Sequence, residues 1–512
     1  MRIDSVYIKE FKNLREFNVE LDENQLTHVF IGKNGAGKSN LIEALVIIFR
    51  DLDLKILCED FTYKIKYFCN NHIISVISDS DKRIQEFYVD RKKVTKSEFY
   101  KTWHMDESYL PENVFAYYSG PSNRLEKHFS KHQKKFYNSL LKGDNQTLRP
   151  LFYARLIHSH FVLLAFFSYF DDNGKEFLEK YLNISSVESI LFVLKRPDWV
   201  KEKEYSKSEF WGSRGVVRDF LDDLYKYALA PIKETATFEE GFSSVKKEVI
   251  YLYIKDQNQL MNFAKKYSNN VEFFKYLESM YLSDLIQEIR IRVRKSEDTI
   301  ITFNELSEGE QQLLTVLGLL RFNNSKESLF LLDEPDTHLN PSWKFDYLSL
   351  IKNVVGGKEN SQVIISTHDP IVIGGMKKEA VTIFEKDINK TTARMPEVDP
   401  KGMGVAGLLT SELFDLPSTL DSETQGQLNR KRQLLYKKEK TEKEILELQN
   451  LETELNKLGF SKTTRDPLYE KFITKLFSRP EYQSKVLSNE DMKKMENLTD
   501  ELLDEILEEE NK

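Results

Sequence analysis

The chain has 512 residues, of which 40% are hydrophobic and 30% are charged, and its formal net charge at pH 7 is -8. This length is enough for two or three domains with sizeable cores. The acidic balance excludes a protein that holds nucleic acid through a global excess of positive charge, so any contact with DNA requires a local basic patch.

The sequence also argues against secretion and membrane insertion. The most apolar run, FVLLAFF at 161–167, is too short to span a bilayer, and 1–4 (MRID) has no apolar signal core. The two cysteines, Cys58 and Cys69, have no metal-ligand spacing and indicate free thiols in a reducing compartment. We therefore expect a cytoplasmic protein that is not embedded in a membrane.

A glycine-rich loop follows the first strands of the chain. Apolar side chains alternate over 3–21 as in two strands joined by a turn, and THVFI at 27–31 predicts a short buried strand. NLIEALVIIF at 40–49 predicts a helix. Between the strand and the helix lies the motif G-x-x-x-x-G-K-[ST], which binds phosphate. Its residues, together with the next one, are Gly32, Lys33, Asn34, Gly35, Ala36, Gly37, Lys38, Ser39 and Asn40.

The residue types in this loop account for phosphate binding. Glycines let the backbone N–H groups point at phosphate oxygens, and the helix N-terminus adds partial positive charge. Lys38 is predicted to reach the β- and γ-phosphates of ATP, and the Ser39 hydroxyl is predicted to bind Mg2+. ATP and Mg2+ are therefore the expected cofactors.

The next segment is rich in strands. YKIKYFCNNHIISVIS at 63–78 predicts a hairpin with its turn at Asn70 and Asn71, and VFAYY at 114–118 predicts another strand. A turn-rich stretch then leads to Arg124. This arginine is either a sensor of the nucleotide phosphates or a surface residue that follows a turn.

Residues 125–285 are predicted to be mostly helical, with aromatic side chains that pack in a core. IQEIRIRVRK at 286–295 then alternates strictly, so that Arg290, Arg292 and Arg294 share one face of a strand. That face is either a basic stripe for DNA or RNA phosphates or an ordinary solvated strand surface.

Two further clusters carry chemistry. Ser307 and Gly309 precede a helix predicted to start near Glu310, which presents a second helix N-terminus to an anion. SLFLL at 328–332 predicts a buried strand that ends in Asp333 and Glu334. Asp333 is suited to the magnesium shell, and Glu334 is suited to polarise an attacking water.

A last buried strand, QVIIS at 362–366, precedes His368. A histidine at this strand end is placed to donate a hydrogen bond to the γ-phosphate, although a lone histidine is more often structural. Its position after the acidic strand favours the functional interpretation. The predicted catalytic pair is therefore Glu334 and His368.

The order of these motifs resembles that of ATP-binding-cassette ATPases, within the branch that contains the SMC, RecF and OLD proteins. The phosphate loop, the signature LSEGE at 306–310, the acidic pair, DTHLNP at 336–341 and the switch His368 occur in that order, and FKNL at 11–14 matches the start of the branch. The resemblance covers about 1–75 and 280–390. It implies an α/β head with a mixed sheet and flanking helices, carrying a helical insert and a helical C-terminal region.

The resemblance also implies a dimer in which two heads enclose ATP. Ser307, Gly309 and Glu310 of one head would then complete the nucleotide site of the other, so the chain should be at least a homodimer. The glutamine of the family's Q-loop is not placed, because Gln133 and Gln146 lack the expected strand end. The implied domains are a head N-terminal lobe at 1–124, a helical insert at 125–280, a head C-terminal lobe at 281–395 and a helical partner-binding region at 396–512.

Among the relatives, the chain lacks the long heptad arms of SMC proteins, and 395–512 lacks the acidic strand of the nuclease domain in OLD proteins. Residues 421–459 predict a charged helix with leucines at heptad spacing, and LTDELLDEILEEE at 498–510 predicts an acidic amphipathic helix. These helices form either an intramolecular hairpin or a docking surface.

The layout is similar to the ATPase subunit of Septu-type anti-phage systems, which works with an HNH nuclease. The leading hypothesis is therefore an ATPase that dimerises through its heads and regulates a separately encoded HNH-type nuclease, with DNA as a further partner. The chain itself shows no nuclease motif. A RecF-like DNA-repair clamp and an ATP-binding scaffold with little hydrolysis remain the alternatives.

Overall fold

The computed structural model describes residues 1–101, 108–141, 151–169, 172–200, 209–240, 243–295, 299–322, 327–355, 361–387, 390–437 and 439–458. The strands of these segments, β1 to β18 in chain order, are Arg2–Phe11, Leu14–Glu20, Thr27–Gly32, Tyr63–Cys69, His72–Asp79, Ile84–Val89, Lys92–Val94, Asn113–Tyr118, Leu151–Tyr153, Ile184–Lys195, Leu229–Glu240, Ser243–Ile254, Ile286–Lys295, Ile300–Thr302, Ser328–Asp333, Gln362–Ser366, Val381–Lys386 and Thr391–Arg394. The helices, α1 to α14, are Lys38–Asp53, Lys96–Phe99, Glu126–Leu141, Ile157–Ser168, Asp172–Leu182, Gly215–Tyr227, Gln257–Ala264, Asn270–Leu282, Glu308–Phe322, Pro341–Val355, Pro370–Ile373, Gly404–Thr410, Ser422–Tyr436 and Glu442–Lys457.

The chain forms two compact units. The first contains 1–30, 35–368 and 386–393, and the second contains 31–34, 369–385 and the chain from 394 onward. The first unit therefore holds most of both predicted lobes of the head together with the segment between them.

A parallel sheet in the first unit brings the motif-bearing strands together, in the order β3-β16-β15-β8-β9. Its strands are near-continuous runs of buried apolar residues, as expected for a parallel sheet covered on both faces. Because parallel strands end at the same edge, the phosphate loop, the acidic pair and the switch histidine emerge side by side. The predicted α/β class with a mixed set of strands is confirmed.

A separate antiparallel sheet has the order β2-β1-β4-β5-β6-β7. The predicted hairpin is β4-β5, and its turn residues Asn70 and Asn71 both have positive φ angles, of 47° and 64°. Asparagine tolerates this conformation in two-residue turns, which is why the turn was visible in the sequence. Cys58 and Cys69 are buried free thiols, as predicted.

The insert at 125–280 carries helices α3 to α8, as predicted, but it also carries strands that were not predicted. It contains β9, and its strands β10, β11 and β12 pair with β13 and β14 in the antiparallel order β11-β12-β10-β13-β14. The runs ILFVL in β10 and VIYLYI in β12 are short and apolar on both faces, and periodicity alone cannot separate such a strand from a buried helix. Helices α3 to α8 account for the part of the prediction that is right.

The arginine strand β13 alternates as predicted, with its isoleucines and valine buried and Arg290 and Arg292 exposed. Arg290 forms an ion pair with Glu288 at 2.9 Å, and Arg294 forms one with Glu188 at 2.8 Å. Two of the three arginine charges are thus paired with carboxylates on the same sheet. This pairing favours a solvated strand surface over a stripe that binds DNA or RNA phosphates.

The second unit contains the hairpin α13-α14. Residues 421–459 were expected to form one helix, but a second helix starts after Thr441, whose side chain caps the Glu444 amide in a capping box. Arg430 binds Glu447 through two hydrogen bonds of 2.8 Å across the hairpin, which supports the intramolecular arrangement. The acidic helix predicted at 498–510 lies outside the described residues. Within the described part, the helices are all too short or too polar to cross a membrane.

Candidate functional site

The phosphate loop is shaped by glycines with positive φ angles. Gly35 has a φ of 76° and Gly37, which caps α1, has a φ of 109°. A Cβ on Gly37 would lie 2.9 Å from Leu14 Cδ2, so this position is closed to larger residues by both conformation and space. Lys33, by contrast, is exposed and forms an ion pair with Asp415 at 3.1 Å within the second unit.

The turn between β1 and β2 holds the phosphate loop in place through hydrogen bonds. Asn13 Nδ2 donates to the Gly35 carbonyl at 2.9 Å, and Asn40 Nδ2 donates to Asn13 Oδ1 at 2.6 Å. Asn13 therefore ties the loop backbone to the first turn of α1. The sequence offered only the FKNL match as a signal for this residue, and its role as a brace was missed.

Lys38 lies in the centre of the site and is 4% exposed. Its Nζ lies 2.9 Å from His368 Nε2, which in turn lies 3.0 Å from Glu334 Oε1. Burial lowers the pKa of Lys38 to about 8, while the charges of Glu334 and Asp333 oppose that shift. Since Nε2 either accepts from Lys38 or donates to Glu334, the tautomer of His368 decides which bond forms.

Ser39 and Asp333 meet beside this lysine. The Ser39 hydroxyl donates to Asp333 Oδ1 at 2.9 Å, and the Ser366 hydroxyl donates to the same oxygen. Asp333 is fully buried, and burial raises its pKa against the opposing effect of these hydroxyls. Its second oxygen, Oδ2, is buried without a hydrogen-bond partner. A hydroxyl next to a carboxylate with an unsatisfied oxygen is a donor set that suits Mg2+.

Glu334 adopts a φ of 55°, which is unusual for a residue with a side chain. Its amide donates to the Ser366 carbonyl at 3.1 Å, and Thr337 Oγ1 donates to the Glu334 carbonyl at 2.8 Å. These bonds hold the strained backbone in place and direct the carboxylate toward His368.

The signature residues lie against a different part of the fold. Ser307 caps α9, which starts at Glu308 rather than near Glu310, and the Glu310 carboxylate accepts bonds from Ser307 and from Lys295 Nζ at 2.7 Å. A Cβ on Gly309 would lie 2.4 Å from the His338 carbonyl. Close packing of α9 against the segment after the acidic pair therefore requires glycine here.

Arg124 does not behave as a surface arginine. It donates to Asn40 Oδ1 at 2.7 Å and to Glu43 Oε2 at 3.0 Å. Glu43 is 1% exposed on α1 and also binds Lys12 and His128. Burial raises the pKa of Glu43, but these partners outweigh it and hold the pKa well below its usual range. A lone carboxylate inside the apolar run of α1 was the available signal for this network.

The structure thus brings Lys38, Ser39, Asp333, Glu334 and His368 to one place and leaves Ser307, Gly309 and Glu310 in a second cluster. The Q-loop stays unplaced. Gln133 lies on α3, and Gln146 lies outside the described residues.

Comparisons with known proteins identify the family of the chain. A family model described as an AAA ATPase domain matches residues 1–373. The chain is 26% identical over 248 residues to the Septu protein PtuA of Bacillus mycoides, covering 45% of this chain and 34% of that protein. It is 26% identical over 258 residues to the Retron Vc95 probable ATPase of Vibrio cholerae, covering 42% of this chain and 49% of that protein.

The matched regions thus span between a third and a half of these curated relatives. Among solved structures, an SMC head bound to the C-terminal winged-helix domain of ScpA aligns with 77% of this chain and 98% of its own, at 13% identity and a TM-score of 0.34. The chain therefore belongs to the AAA ATPase domain family.

Proposed function

We propose that the chain hydrolyses ATP at the site formed by Lys38, Ser39, Asp333, Glu334 and His368. The observation that carries this proposal is two sets of contacts of 3.0 Å or less. One runs from Lys38 to His368 and on to Glu334, and the other joins Ser39 to Asp333. A phosphate loop, a buried metal-binding carboxylate and a second carboxylate beside a histidine are the parts that ATP hydrolysis requires.

Each side chain has a role that its position supports. Lys38 would hold the β- and γ-phosphates, and Ser39 and Asp333 would hold Mg2+, which neutralises phosphate charge when bound. Glu334 would orient the attacking water and accept its proton. His368 would leave Lys38 and donate toward the γ-phosphate.

The quaternary proposal is a head-to-head dimer. Ser307 and Gly309 lie at the N-terminus of α9, where a nucleotide held by a second copy could bind. ATP and dimerisation would favour each other by linkage. The chain would then control a separately encoded HNH-type nuclease, with DNA as a further partner, in anti-phage defence. This step is supported by the similarity to the Septu protein and the retron ATPase.

The hairpin α13-α14 is the proposed nuclease-docking region. Its exposed apolar side chains include Leu435, Ile445, Leu446 and Leu458, with 44% to 60% of their surface open. Exposed apolar side chains on this charged hairpin offer apolar surface that a partner protein would cover. Co-purification of the full chain with its genomic neighbours tests this step, and recovery of the chain without a nuclease would contradict it.

Glu334→Gln is the test of hydrolysis. Because the amide keeps the size of the side chain but cannot accept a proton, ATP turnover should fall at least about 100-fold. The variant should keep its nucleotide and accumulate as a dimer in size-exclusion chromatography with ATP.

Glu59→Gln is a matched control, because Glu59 is an exposed carboxylate away from the site. It should leave turnover unchanged. Equal turnover of Glu334→Gln and the natural protein would overturn the catalytic assignment.

A further inference from the structure

A basic cleft opens beside the phosphate loop, in the first unit. Its volume is about 340 Å3, and it is lined by four cationic side chains and one carboxylate, Asp387. The cations are Lys12 in the turn between β1 and β2, Arg15 near the start of β2, Lys386 at the end of β17 and Lys390 just before β18. The charged side chains of the lining therefore sum to four minus one, or +3.

Two of these cations are only partly neutralised and two are not neutralised at all. Lys12 forms an ion pair with Glu43, and Arg15 forms one with Glu10 at 3.3 Å. Within the described segments, neither Lys386 nor Lys390 has a carboxylate within ion-pair distance. Even with Glu43 and Glu10 counted, the cleft keeps an excess of one positive charge. Like charges held together without counter-charges repel each other unless an anion binds between them.

The cleft also offers polar groups and contacts the nucleotide loop. Thr391 lines it and is buried, and its Oγ1 lies 3.3 Å from the amide of Asn13, which also lines it. The same amide binds the Gly35 carbonyl. Lysine ammonium groups are compact, strongly hydrated charges that suit phosphate oxygens.

We propose that this cleft binds phosphate groups other than those of the nucleotide held by Lys38. The two available sources are the backbone of single-stranded nucleic acid and a free small phosphate. Because the chain is acidic overall, any contact with nucleic acid requires a local basic patch. The cleft is such a patch, whereas two of the three arginines on strand β13 are already ion-paired. The site does not depend on hydrolysis, so it stands or falls separately from the proposed ATPase activity.

The test uses the full chain with saturating AMP-PNP and Mg2+, so that the phosphate loop is filled. Binding of fluorescein-labelled dT20 is followed by anisotropy, and inorganic phosphate is added as a competitor. Lys386→Gln with Lys390→Gln should weaken dT20 binding about tenfold and reduce the slope of log affinity against log salt by about 1.4. Lys82→Gln with Lys92→Gln removes the same charge from exposed positions in the β5-β6 turn and on β7, outside the cleft lining, and should change neither value.

The other outcomes are equally informative. If dT20 does not bind, the ligand is a free phosphate provided that inorganic phosphate raises the unfolding temperature of the natural chain. It should not raise that of the Lys386→Gln, Lys390→Gln variant. Loss of all binding once AMP-PNP saturates the chain would place the cleft inside the nucleotide site and overturn the proposal. Equal binding of both probes by the two double variants would also overturn it. Lys38→Ala should keep dT20 binding even if nucleotide binding is lost.

Discussion

At the scale of single residues, the site places an ammonium group where it is costly to keep charged. Lys38 is buried beside a histidine, and burial lowers its pKa to about 8. A bound triphosphate stabilises the charged form, so nucleotide binding should raise this pKa again. The coupling between protonation and binding gives a pH dependence that can be measured.

The dissociation constant for ATP should be constant below about pH 7.5 and should rise about tenfold per pH unit above about pH 8, because one proton must then be taken up on binding. Titrations with a fluorescent ATP analogue between about pH 6.5 and about pH 9.5 measure this profile. Lys38→Arg is the control, since arginine stays charged throughout. Its affinity should be independent of pH, and a flat profile for the natural chain would contradict the assignment.

At the scale of elements, the β1-β2 turn acts on the nucleotide loop rather than merely joining two strands. Asn13 bonds both the Gly35 carbonyl and the Asn40 amide, and Leu14 packs against Gly37. The turn therefore holds the loop in its phosphate-binding shape before any ligand arrives. This is preorganisation, which lowers the cost of binding without contacting the ligand.

Asn13→Ala should raise the KM for ATP about 30-fold and change kcat less than about twofold, because the two lost hydrogen bonds contribute about 1 kcal/mol each. Asn13→Asp keeps the acceptor for Asn40 but turns a carboxylate oxygen toward the Gly35 carbonyl and adds negative charge beside the phosphate loop, so its KM should rise at least as much. Steady-state kinetics with circular dichroism as a folding check separate these effects. An unchanged KM in Asn13→Ala would show that the loop needs no brace.

At the scale of the whole molecule, the proposed dimer predicts that one chain does not complete its own site. Lys38 and its neighbours form one cluster, whereas Ser307 and Gly309 pack near His338. In a symmetric dimer, each nucleotide would lie between the first cluster of one copy and the second cluster of the other.

A mixing experiment tests this arrangement. Lys38→Ala and Ser307→Arg should each be inactive, but a 1:1 mixture should regain about a quarter of the natural ATPase activity, since half of the dimers are mixed and each has one intact site. Mixing Lys38→Ala with Lys38→Met is the control and should regain nothing. No recovery in the first mixture would indicate that the signature does not act across an interface.

The sequence by itself determined the phosphate loop, the acidic strand end, the switch histidine and the order in which they occur. Each of these is a short pattern, in which glycines or an apolar strand directly precede the reactive residue, so local chemistry reveals them. The α/β class with a mixed sheet followed from the family resemblance that these motifs carry.

Only the tertiary structure decided the rest. The strands of the insert were hidden because a short apolar run is compatible with helix or strand until its neighbours are known. Asn13, Glu43 and Arg124 lie far apart in the chain and meet only when the turn, α1 and the end of β8 pack together. The cleft between the β1-β2 turn and the β17-β18 segment joins residues 371 or more positions apart, and a charge cluster of that kind has no signature along the chain.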